Sequence, residues 1–109
     1  MEKEIEYYET EDGKCPYIEW LESLDNSVQI RVLKRVDKLK NGLYGDRKQL
    51  QNSNLSELRL NFGKGYRIYY YDTNGKIIIF FTGSDKKEQK ETIKKANTYF
   101  EDYKKGTKQ

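Results

Sequence analysis

Midway along this 109-residue chain the spacing of apolar residues changes period. Up to Leu39 they recur as on one side of a helix: Tyr17, Trp20, Leu21 and Leu24, then Val32, Leu33, Val36 and Leu39. From residue 57 they alternate, with Leu58, Leu60 and Phe62 interleaved with Glu57, Arg59 and Asn61, the period of a strand with one apolar and one polar face. A helical pattern does not sit as a strand, nor the reverse, so the chain must combine a helical part with a sheet in that order.

The punctuation fits. Ile5 to Tyr8 is a short strand candidate, and Pro16 suits the first turn of a helix. Asp25 or Asn26 can end that helix and cap the next, which Asn41 and Gly42 close. Leu43 to Ser53 reads as a loop. "FGKG" then turns the chain into a strand from Tyr66 to Tyr71, Asn74-Gly75 marks a hairpin, and "KIIIFFTG" reads as a strand buried on both faces. Ser84 or Asp85, with Glu88 at capping-box spacing, can start a last helix whose apolar face is Ile93, Ala96, Phe100 and Tyr103. The expected fold is α+β: a short N-terminal strand, a helical hairpin packed on an antiparallel three-stranded meander, and a C-terminal helix. One domain over residues 1–109 is expected, with 104–109 as a frayed tail.

Only 35% of the residues are hydrophobic, so the ten tyrosines, four phenylalanines and one tryptophan must supply much of the core. No apolar run approaches the roughly 20 residues of a membrane span, and the acidic start "MEKEIEYYET" is no signal sequence, so a cytoplasmic protein is expected. Cys15 is a lone thiol, and no His, Cys or carboxylate cluster has metal-ligand spacing; neither metal nor cofactor is expected. Charge is uneven. Residues 1 to 30 hold two lysines against nine acids, a net of −7, whereas residues 31 to 109 carry a net of +10. The basic part suits a polyanion or an acidic protein partner, although exposed lysines also serve solubility.

Arginine on a small sheet needs a reason. If Leu58, Leu60 and Ile68 face the helices, Arg59 and Arg67 project from neighbouring strands onto the other face beside Tyr69 and Tyr71. Two guanidiniums there could hold one phosphate, with the phenol rings as stacking surfaces for unpaired bases. Alternatively, Glu57 and Asp72 pair with them as ordinary cross-strand ion pairs. Lys86 and Lys87 are expected in the last helix's first turn, where the macrodipole disfavours cations unless an anion binds. Lys90 and Lys94 follow Lys86 at helical spacing.

"ELRLNFGKGYRIYYY", then "KIIIFFTGSDKKEQ" and "IKKA", resembles the RelE/ParE toxin superfamily, and most of all the HigB-like group often labelled addiction-module killer proteins. "YIEWLESLD", "RVLKRVDKLKNG" and "GDRKQL" extend the resemblance over residues 16 to 100. It implies the toxin of a type II toxin–antitoxin pair: a metal-independent endoribonuclease that cleaves mRNA in the ribosomal A site and is restrained by an antitoxin, here expected to be a small helix-turn-helix protein. Arg67 in "GYR" matches the arginine that contacts the scissile phosphate, Arg59 falls where relatives carry a basic strand residue, and Lys86 lies near the basic position after the last core strand. Arg47, Lys48, Lys64, Tyr69, Tyr71, Lys87 and Lys90 are the candidate RNA contacts. With no histidine, and Gln89 and Thr92 where relatives often place a tyrosine or histidine, the proton-transfer group is open among Tyr69, Tyr71, Asp85 and a lysine. A gyrase inhibitor of the ParE kind, or a non-enzymatic RNA- or antitoxin-binding module, are the competing readings.

Overall fold

The computed structural model describes residues 2–107. Its elements are β1 (Glu4–Tyr7), α1 (Pro16–Glu22), α2 (Asn26–Lys40), β2 (Arg47–Gln49), β3 (Ser56–Leu60), β4 (Tyr66–Asp72), β5 (Ile77–Ser84) and α3 (Gln89–Thr107). The α+β architecture follows the change of period, with one strand beyond those expected. β2 lies within the stretch read as a loop. Its three residues are exposed and polar, so no hydrophobic period announced it; it is held by antiparallel pairing, Arg47 opposite Leu58 and Gln49 opposite Ser56.

The sheet order is β1-β5-β4-β3-β2. β3, β4 and β5 form the antiparallel meander, while β1 runs parallel to β5, with Tyr7 opposite Phe80. On one face α1 and α2 bury Tyr17, Leu21, Val32, Val36 and Leu39 against Leu58, Leu60, Ile68, Tyr70 and Phe80. Burying such a side chain contributes about 1.5–3 kcal/mol, which is why this face sets the register. Leu33, expected in that face, is instead 49% exposed: the stripe runs 32, 36, 39, and a residue one step away is turned about 100° round the helix. Gly83 on β5 is required by the same packing, because a Cβ there would run into the Trp20 ring.

The opposite face, expected to lie open, is roofed by α3. Ala96 and Phe100 pack with Tyr69, Ile79 and Phe81 in a second core, with the Phe100 ring 4.9 Å from that of Tyr71 and 5.9 Å from that of Phe81. The register of β4 and β5 shifts between Tyr69 and Tyr70, leaving Phe81 without an opposite number. α3 begins at Gln89, later than expected. Asp85 Oδ1 accepts a 2.9 Å bond from the Glu88 amide, so the Asp85 cap is real but closes a turn containing Lys86 and Lys87 rather than the helix's first turn. At its other end α3 runs through Thr107, so residues 104–107, expected to fray, are helical; residues 108 and 109 lie outside the described residues. Among the described residues no helix is long and apolar enough to cross a membrane.

Candidate functional site

Because α3 starts only at Gln89, one end of the sheet meets the first turn of α3 and not its apolar face. There the register sets Arg59, Arg67 and Ser84 side by side on β3, β4 and β5. Beneath them lies Glu57, fully buried although charged. Its carboxylate accepts 2.8 Å from Arg59 Nε and 3.0 Å from Gln89 Nε2, and lies 3.8 Å from Arg67 Nε. An isolated buried carboxylate costs several kcal/mol, so two donors and a neighbouring guanidinium around one group form a unit that resists losing any member. The cross-strand ion pair anticipated for Glu57 therefore exists, but as a buried clasp rather than a surface pair. Asp72, the other expected partner, is occupied elsewhere: it accepts from the Tyr44 hydroxyl at 2.7 Å and the Gly75 amide at 2.6 Å.

The two arginines differ. Arg59 keeps 31% of its side chain exposed and its Nη1 comes within 3.9 Å of Asp46; the hydrogen bond to Glu57 pushes its pKa further up. Arg67 is only 12% exposed, donates from Nη1 to the Gly65 carbonyl at 2.6 Å, and has a buried Nε with no hydrogen-bond partner. Gly65, at φ +74°, is the hinge of this corner: a Cβ there would meet Arg67 Nη1 and Lys86 Cβ, each at 3.4 Å. The Lys86 amide also donates to the Lys64 carbonyl at 3.3 Å. The β3–β4 turn and the β5–α3 turn are thus stitched together, bringing Lys64 and Lys86 to the arginines. Arg59 and Arg67, held beside Glu57, and the exposed Lys64 and Lys86 are the four cations of this corner.

The remaining candidates separate. Lys87 and Lys90 are exposed near the same corner, while Lys94 pairs with Glu91 at 3.5 Å. Arg47 and Lys48 sit on the edge strand β2, where the Arg47 guanidinium lies 3.9 Å from the Tyr44 ring centre. The tyrosines do not offer the open rings expected of them. Tyr71 is half-buried against Phe100, and Tyr69 is fully buried, its hydroxyl 2.9 Å from Ser84 Oγ. Burial pushes the Tyr69 pKa up to about 12, which disfavours it as a base. Asp85 lines a cleft of about 180 Å³ with Trp20, Lys64 and Tyr66. Among the described residues no group of three or more His, Cys, Asp or Glu side chains could hold a metal ion.

Two members of the site escaped sequence reasoning as anchors. Glu57 precedes Arg59 by two residues, so their shared strand face was visible, but its complete burial depends on α3. Gln89 gave no signal: its role arises only where the start of α3 passes β3.

A model of the family described as "Phage derived protein Gp49-like (DUF891)" matches residues 19–104, a span that contains Glu57, Arg59, Arg67, Lys86 and Gln89. A Haemophilus influenzae protein described only as uncharacterized is 37% identical over 78 residues, covering 71% of this chain and 78% of that protein.

Proposed function

Because the chain belongs to the Gp49-like family, which lies within the RelE/HigB-type toxins of toxin–antitoxin modules, we propose that it is a HigB-like endoribonuclease that cleaves mRNA in the ribosomal A site and so inhibits translation. The family implies a cognate antitoxin; in this reading it is a small helix-turn-helix protein, part of which shields the basic corner. The observation that carries the reading is the clasp: one buried carboxylate fixing Arg59 and Arg67 beside Lys64 and Lys86 where the start of α3 meets the sheet.

The reaction suited to that corner is attack of a ribose 2′-oxygen on the adjacent phosphorus. The new bond forms as the P–O5′ bond breaks, giving a 2′,3′-cyclic phosphate and a 5′-hydroxyl. The 2′-OH proton goes to a base, and the 5′-oxygen takes one up. Negative charge grows on the phosphoryl oxygens in the transition state, so preplaced guanidiniums stabilise it more than the ground state. Arg67 and Arg59 take that charge, with Lys86 beside them. Tyr69, sealed under α3 with a pKa of about 12, is poorly suited to move the proton, and Tyr71 is packed against the Phe100 ring, which leaves Asp85 and a lysine, Lys64 or Lys86, as the nearby groups. Arg59, Lys64 and Lys86 reach solvent while Arg67 is mostly covered, so the ribosome would hold the message in attack geometry.

Induction in bacteria followed by mapping of RNA ends tests the proposal. Codon-phased cuts in translated messages, lost in Arg67→Ala, are expected. Growth arrest with intact messages would overturn it, and accompanying DNA damage would select gyrase inhibition.

A further inference from the structure

α2 carries Arg31, Lys34, Arg35 and Lys38 at the 0, 3, 4, 7 spacing that normally marks an apolar stripe. Its other flank holds the buried Val32, Val36 and Leu39, so this second stripe is a deliberate cationic face. The face borders a groove of about 400 Å³ whose lining continues onto the end of β3 and the turn after it, with the apolar Leu60 and Phe62 beside Arg59. Arg31 covers the Phe62 ring at 3.8 Å, and Arg35 is consumed in holding the carbonyls of Leu43 and Tyr44. Lys34 and Lys38 are exposed and form no ion pair with a carboxylate among the described residues. The only acid on α2 is Asp37, and the only one lining the groove is Asp46, which is shared between Arg59 and Asn61.

We propose that this groove holds a flanking nucleotide of the RNA strand whose scissile phosphate sits at Arg67 and Arg59. The inference rests on the RNA-cleaving reading but concerns a separate surface. Three features favour RNA over an acidic peptide. Arg59 belongs to both sites, so a strand leaving the arginine pair enters the groove without a break. The volume suits one nucleotide, since pockets for small ligands begin near 300 Å³. The apolar pair with an arginine laid on its aromatic ring is a surface on which a base can stack, while Lys34 and Lys38 stand where its phosphates would run.

The test is binding, uncoupled from cleavage. The probe is a fluorescent single-stranded oligoribonucleotide bearing 2′-O-methyl groups, which block attack by the 2′-oxygen. Affinity is read by anisotropy against salt. Each phosphate contact on a single strand contributes about 0.7 to the slope of log K against log salt, so Lys34→Gln/Lys38→Gln should flatten the slope by about 1.4 and weaken binding on the order of tenfold at 0.1 M salt. Lys34→Arg/Lys38→Arg should restore both. Lys14→Gln/Lys76→Gln, which removes the same charge outside the groove, should change neither by as much. An unchanged slope in a folded Lys34→Gln/Lys38→Gln protein, or no binding by the wild type, would overturn the proposal. So would loss of antitoxin binding with RNA binding intact, which would make the groove a protein dock. Groove-dependent RNA binding alongside uncut messages in cells would sustain the groove and overturn only the cleavage reading.

Discussion

The surroundings of the two ends of α3 differ: basic residues of the β3–β4 and β5–α3 turns lie at its start, and acidic residues of the N-terminal segment lie at its far end. At its start, Gln89 reaches Glu57, whose fully buried carboxylate is shared with Arg59 and Arg67. At its far end, Asp102 joins Glu6, Glu9 and Glu11 around a cleft of about 420 Å³ walled by Tyr7, Tyr8 and Tyr103. There the buried Tyr8 donates to Asp102 at 2.5 Å, while Glu6, Glu9 and Glu11 lie exposed. Solvated carboxylates cost little and position nothing. A buried one costs several kcal/mol unless every partner is in place, and in return it fixes those partners. The basic end is therefore the one whose charged side chains are held in place.

If that contrast holds, the largest effect should come from the clasp's centre. Glu57→Ala should destabilise by about 3–5 kcal/mol, because it leaves two arginines crowded without their counter-ion. Chemical denaturation measures this, and a loss below about 1 kcal/mol would place Glu57 among ordinary surface acids. Next comes Arg67→Ala, expected to slow cleavage on programmed ribosomes by about 10² to 10³, the loss typical of one preorganised electrostatic contact. Arg67→Lys should recover only part, since an ammonium lacks the fork. Some stability should go with Arg67→Ala, though less than with Glu57→Ala, because Arg67 Nε stands 3.8 Å from the carboxylate whereas Arg59 Nε bonds it at 2.8 Å. Near-wild-type cleavage by folded Arg67→Ala would sink the site.

The same contrast explains what could be read from residues alone. Both helices of the hairpin and the three meander strands were legible because each carries its own apolar period, and the Arg59–Arg67 pairing followed from alternation plus one turn. What stayed hidden depends on long-range packing. β2 has no apolar residue to announce it, and the roofing of the second face by α3 turned Tyr69 from an expected base-stacking surface into core. The start of α3 was misplaced because Asp85 makes a capping bond that closes a turn before the helix proper. The cationic stripe of α2 is present in the sequence, but only the apolar Val32, Val36 and Leu39 decide which side of the helix is buried.

Between the two ends lies Tyr69, which tests the roof itself. Its pKa is pushed up to about 12, chiefly by burial, from an ordinary value of 10. The folded protein thus holds the phenolic proton more tightly than the unfolded chain. Its contribution to stability is complete below pH 10 and is lost as pH rises from about 10 to 12. Tyr69→Phe should flatten the fall in that window while costing about 0.5–1.5 kcal/mol at neutral pH through the lost bond to Ser84. A Tyr69→Phe protein whose alkaline profile matches the wild type would mean that the roof opens to water.

The smallest effect should come from the acidic end, and its smallness is what gives the comparison force. Asp102→Asn keeps an oxygen able to accept from the Tyr8 hydroxyl and removes one charge from a cluster of like charges. Two terms oppose each other: the bond becomes a weaker neutral one, while repulsion with Glu6, Glu9 and Glu11 is relieved. Each is worth a few tenths of a kcal/mol to about 1 kcal/mol at a partly exposed site, so the net change should stay within about 0.5 kcal/mol and shrink further in high salt. Denaturation of Asp102→Asn beside Glu57→Gln, the same loss of charge with the same retention of an oxygen, makes the comparison direct. Glu57→Gln should cost several times more, because the fully buried amide would leave the largely buried Arg67 without its counter-charge and Arg59 with only Asp46. Equal costs at the two ends would show that burial, and not the charge alone, had been misjudged as the source of the clasp's strength.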